Sequence, residues 1–155
     1  MAQKPSVSAA IPPGPYRRRE ESLLMVLSTL FGRSNMKIRK IRQDDIGGIV
    51  RIVHKIMGPK DAKIALNDIN ETLLEKRNSP FKFEEFFVIE ISGQIAAAGG
   101  IWALKHDPNI ARLDWFVVDP VQQRKGLGTM LLRQIERFTK KKNARIIIAE
   151  TSSGS

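Results

Sequence analysis

One change of hydrophobic period constrains what this chain can fold into. From Ile46 to Leu74 the apolar residues recur at helical spacing. From Phe86 the pattern turns into three β-type runs, Phe86–Ile91, Gln94–Leu104 and Ile110–Val118, separated by Ser92-Gly93 and by Asp107-Pro108-Asn109. Helical spacing then returns. A sheet built from consecutive hairpins and covered by helices satisfies this order, whereas an all-helical or an all-β fold does not.

The individual elements follow. Lys37–Ile41 alternates and suits a strand. Asp44 is a plausible N-cap for a helix with Ile46, Ile49, Val50, Val53 and Ile56 on one face, stopped by Gly58-Pro59. A second helix is expected from about Asp61 to Arg77, with Ile64, Leu66, Ile69, Leu73 and Leu74 inward and Asn78-Ser79-Pro80 at its end. A third spans about Gly126 to Lys142, with Leu127, Met130, Leu131, Ile135 and Phe138 on one face. Ala144–Glu150 reads as a buried strand. Gly99-Gly100 within the second β run indicates a bulge or a close backbone approach. From Met36 the order is β-α-α-β-β-β-α-β, and there is no internal repeat.

Residues 1–35 differ in kind. Pro5, Pro12, Pro13 and Pro15 among small residues give a stretch that cannot pack a core, so 1–35 is expected to be a disordered or loosely ordered extension. Leu23–Phe31 is apolar and follows Arg17-Arg18-Arg19, but a long proline-rich leader and a poor cleavage site argue against a signal peptide. A short helix lying on the domain, a targeting element and a translation start at Met36 are all compatible with it. The apolar final strand and the Thr151–Ser155 tail make the chain look cut short.

Composition removes several chemistries. The 155 residues contain no cysteine and only two histidines, His54 and His106, which excludes thiolate sites and leaves almost nothing for a histidine-rich metal site. No apolar run is long enough to span a bilayer, and a cytoplasmic location is expected. The net charge of +10 favours polyanions at low salt. The positive charges are scattered and aromatic residues are few, so a specific nucleic-acid site is not expected. A small polyanion such as a pyrophosphate suits the charge better. His54, His106, Trp102, Trp115, Met57 and Met130 are read as surface or packing residues.

The segment that carries chemistry is Leu113–Leu132, LDWFVVDPVQQRKGLGTMLL. A strand runs into Pro120, a loop holds Gln123, Arg124, Lys125, Gly126, Leu127 and Gly128, and a helix follows at once. Glycines admit positive φ and close backbone approach. Successive N–H groups form a concave nest, and the helix N-terminus adds its own. The bland alternative is a strand-turn-helix corner in which the glycines only make the turn. A Walker loop is absent, and a dinucleotide fingerprint is incomplete because Leu131 occupies its third glycine position.

The run Val118-x-Pro120-x-x-Gln123-x-x-Gly126-x-Gly128 resembles the acyl-CoA-binding motif of the GNAT N-acetyltransferases, [R/Q]-x-x-G-x-[G/A] after a strand ending in V-x-P. The element order from Met36 resembles that family as well, and Glu150-Thr151-Ser152-Ser153 is similar to one branch of it. The resemblance covers residues 36–155 and implies the acyl-CoA N-acyltransferase fold. This is a mixed, mostly antiparallel sheet flanked by helices, here lacking the last helix and hairpin. It further implies a bulged strand whose Phe116, Val117 and Val118 backbone groups pair with pantetheine. The N–H groups of Gln123, Arg124, Lys125, Gly126, Leu127 and Gly128, with Thr129, would receive the pyrophosphate. Val117 or Val118 would polarise the thioester. The implied reaction is direct attack of a small-molecule or protein amine on acetyl-CoA, without a metal.

For the general base, Asp114 and Glu150 are the candidates. The alternative for Asp114 is an edge carboxylate paired to Arg112 or solvent, and for Glu150 a strand-end carboxylate capping the next helix. The tyrosine that in this family protonates the leaving thiolate has no counterpart, because Tyr16 lies in the proline-rich tail. A non-catalytic acyl-CoA-binding or regulatory module and a basic nucleic-acid-binding domain are the rival readings. Homodimer formation is left open.

Overall fold

The computed structural model describes residues 35–74 and 76–151. Tyr16, Leu23–Phe31 and the Ser152–Ser155 tail lie outside the described residues. The elements are β1 (Met36–Lys40), a 3-10 turn (Gln43–Asp45), α1 (Ile46–Met57), α2 (Pro59–Leu73), β2 (Phe81–Ile91), β3 (Gln94–Leu104), β4 (Asp107–Val118), a second 3-10 turn (Pro120–Gln122), α3 (Leu127–Lys141) and β5 (Ile146–Ile148). The strands form one sheet in the order β1-β2-β3-β4-β5. All pairs are antiparallel except β4 with β5. This is the expected mixed sheet flanked by helices.

The two faces carry separate cores. On one, Leu127, Leu131 and Ile135 of α3 pack on Phe87, Ile89, Ala97 and Ile101. On the other, Ile49, Ile52 and Val53 of α1 and Ala62, Ala65 and Ile69 of α2 pack on Phe86, Val88, Ala98 and Val117. Each fully buried Ile, Leu or Phe contributes roughly 1.5–3 kcal/mol of transfer free energy, so both faces are firmly held.

Several expectations need correction. Asp45, not Asp44, closes the turn before α1: its carboxylate accepts the Arg42 N–H at 2.7 Å. Ile52 is buried in α1, whereas Ile56 and Met57 are exposed. In α2 the inward face is Ala62, Ala65 and Ile69, and Ile64, Leu66 and Leu74 point outward. Two helices packed side by side on a sheet need small residues at their contact, and the alanines provide it. Gly58 stops α1, but Pro59 opens α2 at once, because proline fits the first helical turn. That helix ends at Leu73, before Asn78. β2 begins five residues earlier than expected and β4 three, so the β3–β4 turn lies at Lys105-His106. β5 is confined to Ile146–Ile148. His54 is exposed on the surface of α1.

The Gly99-Gly100 signal is explained by two close approaches. A Cβ on Gly99 would stand 2.8 Å from Phe116 Cδ2, and one on Gly100 would stand 2.8 Å from Phe86 Cδ2. Gly99→Ala is therefore expected to destabilise by about 1–3 kcal/mol through overpacking. Ile135→Ala, which empties the α3 core, is expected to cost about 2–5 kcal/mol. Urea midpoints of the two variants, beside the wild type, check both.

Candidate active site

β4 is paired unevenly. Its register with β3 runs Ala98↔Val117 and then Gly100↔Asp114, so Trp115 and Phe116 together oppose Gly99. That is a bulge, and Trp115 adopts φ 43 at it. The consequence is read from the packing. Trp115 and Val117 lie against the α1–α2 core, and Leu113, Phe116 and Val118 against the α3 core. By alternation Asp114 shares the α1–α2 face, so the bulge puts two consecutive side chains, Asp114 and Trp115, on one side.

On its other edge β4 pairs with β5 only through Ile110↔Ile146, Ala111↔Ile147 and Arg112↔Ile148. From Leu113 onward that edge is open among the described residues. The Asp119 N–H donates to the Ala96 carbonyl at 2.8 Å. Alternation then turns Phe116 and Val118 backbone groups toward the open edge and Val117 toward β3. Of the three residues expected to offer backbone groups there, the geometry thus brings out Phe116 and Val118. The Gln123 side-chain amide donates to the Val118 carbonyl at 3.3 Å, which leaves the Val118 N–H as the group directed outward.

The strand runs into the glycine loop. Asp119 is buried and organises it: its carboxylate accepts the Val121 N–H at 3.2 Å and meets Lys55 Nζ of α1 at 3.4 Å. Arg124 (φ 63) and Gly126 (φ 82) are both left-handed and bracket Lys125. Gly126 is the residue before α3, and its carbonyl accepts the Met130 N–H. The N–H groups of Leu127, Gly128 and Thr129 precede the first possible intrahelical acceptor and face the positive end of the helix dipole. Leu127 is buried, so it offers backbone alone. Gln123, Arg124 and Thr129 are exposed around the same concavity. The Gln123 N–H differs from the expectation, because it is directed to the Pro120 carbonyl at 3.5 Å within the turn. The arrangement is an anion cradle at the end of an open strand edge.

The two candidate bases flank the point where the strands part. Glu150 follows β5, is largely exposed, and pairs with Arg112 Nη1 at 3.4 Å. Arg112 therefore serves Glu150 rather than Asp114. Asp114 is half-buried. Burial pushes its carboxyl up to about 6, and the charge of Asp68 adds to this. The Trp115 backbone N–H opposes the shift, while Glu84 raises it further.

Three neighbours escaped the sequence reading. Asp68 of α2 accepts the Trp115 indole N–H at 3.1 Å. Glu84 of β2 accepts from Thr72 at 3.0 Å and pairs with Lys76 at 3.5 Å. Asp119 had a local signal, since Asp-Pro commonly opens a turn. Asp68 and Glu84 had none, being brought in only by tertiary packing.

Residues 60–154 match the family model for the acetyltransferase (GNAT) family. The chain belongs to the GNAT acetyltransferase family. No curated protein sequence matches the chain. Among solved structures, a GNAT-family protein from Desulfovibrio desulfuricans shares 21% identity at a TM-score of 0.67, over 77% of this chain and 75% of that one. Glucosamine-6-phosphate N-acetyltransferase from Arabidopsis thaliana shares 20% identity at a TM-score of 0.56, over 77% and 84%. N-acetylglutamate synthase from Neisseria gonorrhoeae, solved with coenzyme A and L-arginine, shares 16% at 0.55, over 79% of this chain and 26% of that one. At these identities the likenesses show the fold. By family the chain is an N-acetyltransferase, a class whose reaction is acetyl transfer to an amine. No described helix is long and apolar enough to cross a membrane.

The loop makes a graded prediction for acetyl-CoA binding. A Cβ on Gly128 meets nothing closer than Val118 Cγ2 at 3.7 Å, so Gly128→Ala is expected to keep affinity within roughly threefold. Gly126→Asp puts a side chain on a left-handed residue and a negative charge in the cradle, and is expected to abolish binding. Calorimetric titration of the full chain with acetyl-CoA checks both.

Proposed function

We propose that the protein transfers the acetyl group of acetyl-CoA to a primary amine by direct attack, using Asp114 as the general base. The observation that carries this reading is the continuity of three features along β4. Asp114 lies before the bulge, the open edge of Phe116 and Val118 lies after it, and the anion cradle of Arg124–Thr129 follows. The family supports the acetyl-transfer chemistry. A structural relative solved with coenzyme A supports an acyl-CoA donor, and the likeness to glucosamine-6-phosphate N-acetyltransferase supports an amine acceptor.

In this reading the cradle binds the pyrophosphate, and the open β4 edge orients the pantetheine as an added strand. The Val118 N–H stabilises negative charge on the thioester oxygen as the amine nitrogen bonds to the acetyl carbon. Asp114 accepts the proton that the attacking amine gives up, and the carbon–sulfur bond breaks with the electron pair on sulfur. Asp114 suits the base role better than Glu150, whose exposed carboxylate is already matched by Arg112. A carboxyl near 6 is ionised at neutral pH yet more basic than an ordinary aspartate.

The test is an amine panel with acetyl-CoA, following thiol release against pH. Wild-type kcat/KM is expected to rise through pH about 6. Asp114→Asn is expected to lose that limb and to fall by roughly 10²–10⁴-fold, with acetyl-CoA affinity retained. A variant profile identical to wild type removes Asp114 as the base. Stability moves the opposite way. Folded Asp114 holds its proton more tightly than the unfolded chain does, so wild-type stability falls as pH rises from 3.8 to about 6. Asp114→Asn is expected to melt higher than wild type above pH ~7, with no such advantage below pH ~3.5.

A further inference from the structure

We propose that Asp68 is a positioning residue of this site: from α2 it fixes the left-handed Trp115, and through it the aim of β4 where that strand leaves β5. The inference rests on the acetyl-transfer reading above. Trp115 needs such a restraint. An aromatic residue at φ 43 occupies a sparsely populated region that persists only where the surroundings over-determine it. Packing and one hydrogen bond do so. The Trp115 side chain packs against the α1–α2 core, and the Asp68 carboxylate takes its indole N–H at 3.1 Å. That bond joins positions 47 apart in sequence and ties the bulge to another element.

The restraint matters because the bulge sets the phase of all that follows it. With one residue more or fewer, Phe116, Val117 and Val118 would exchange faces and edges. A small rotation at Trp115 is carried directly to the Phe116 and Val118 groups at the open edge, on the strand that leads into the anion cradle. Asp68 is anchored in turn, since Ile69 beside it is fully buried in the α1–α2 core.

Asp68 has a second effect on the same site, through charge. The groups facing Asp114 are Asp68 from α2 and Glu84 from β2, with the Trp115 N–H on its own strand. Glu84 is partly offset by Lys76, and Arg112 is engaged by Glu150. Asp68 therefore resists ionisation of Asp114, which keeps that carboxylate basic. Hydrogen bonding and charge are separable by substitution. Asp68→Asn keeps an acceptor oxygen for the indole and loses the charge. Asp68→Ala loses both, and Trp115→Phe removes the donor while keeping a ring.

The experiment uses the full chain with acetyl-CoA as the probe. Calorimetry reads affinity, the Trp115 indole N–H resonance reads the hydrogen bond, and the Asp114 side-chain carboxyl resonance reads its titration. Asp68→Ala and Trp115→Phe are expected to weaken acetyl-CoA by roughly three- to tenfold, and Asp68→Ala to shift the indole resonance. Asp68→Asn is expected to restore affinity and the indole resonance, while Asp114 titrates at lower pH in both Asp68 variants. Wild-type binding with unchanged affinity in a folded Asp68→Ala overturns the positioning role alone. Failure of Asp68→Asn to rescue affinity overturns it too. Absence of saturable binding by the wild type overturns the acetyl-CoA reading, and this proposal with it.

Discussion

Trp115 and Phe116 occupy the space that a regular strand would give to one residue opposite Gly99, and the working part of the molecule depends on that surplus. Before it, Leu113 faces the α3 core and Asp114 the α1–α2 side. After it, Phe116 and Val118 face α3 and Val117 faces α1. The extra residue bends β4, whose pairing with β5 has already ended at Arg112↔Ile148. A strand normally hides its backbone groups in two neighbours. This one keeps β3 and has no second strand from Leu113 onward among the described residues, so its last residues keep hydrogen-bonding groups open on that edge.

The bend is possible because the sheet is rigid elsewhere. Gly99 and Gly100 make room for Phe116 and Phe86, which lock the two faces at the bulge. A polar chain of contacts extends the support to the loop. Arg39 bridges Asp45 and Glu90 at 2.7 Å each, tying β1 and β2 to the start of α1. The Arg39 guanidinium holds the Asp45 carboxyl below the usual carboxylate range, and the Arg42 N–H adds to the effect. Near the other end of α1, Lys55 meets buried Asp119, which folds the loop after β4. A buried carboxylate that loses its cation is left as an uncompensated charge. Asp45 and Asp119 therefore matter to the site without touching it.

What was legible in the sequence was local. The strand-loop-helix segment carries its own turn chemistry, and α3 shows a clean inward stripe from Leu127 to Ile135. The β2–β3 hairpin follows from Ser92-Gly93. What was illegible was relational. The α2 stripe was misread because Ile64, Leu66 and Leu74 look like a core face, yet contact with α1 selects the smaller Ala62 and Ala65. The first halves of β2 and β4 were missed because Lys82, Glu84, Glu85, Asp107 and Pro108 do not read as strand. Edge positions and a partly solvated face tolerate them. Asp68 and Glu84 carry no signal at all, because their importance comes from standing opposite Asp114 after folding.

Asp114 unites these levels. It directly precedes the bulge at which the strand opens. Its burial raises its proton affinity, with Asp68 and Glu84 increasing it. Above its pKa the folded protein bears an ionised carboxylate among two others, while Arg112 pairs with Glu150, which is a cost to stability. A solvated carboxylate would be cheaper to fold and a weaker base. The conflict between local stability and proton affinity is thus built into one side chain, and the two cores flanking the sheet are what allow the fold to sustain it.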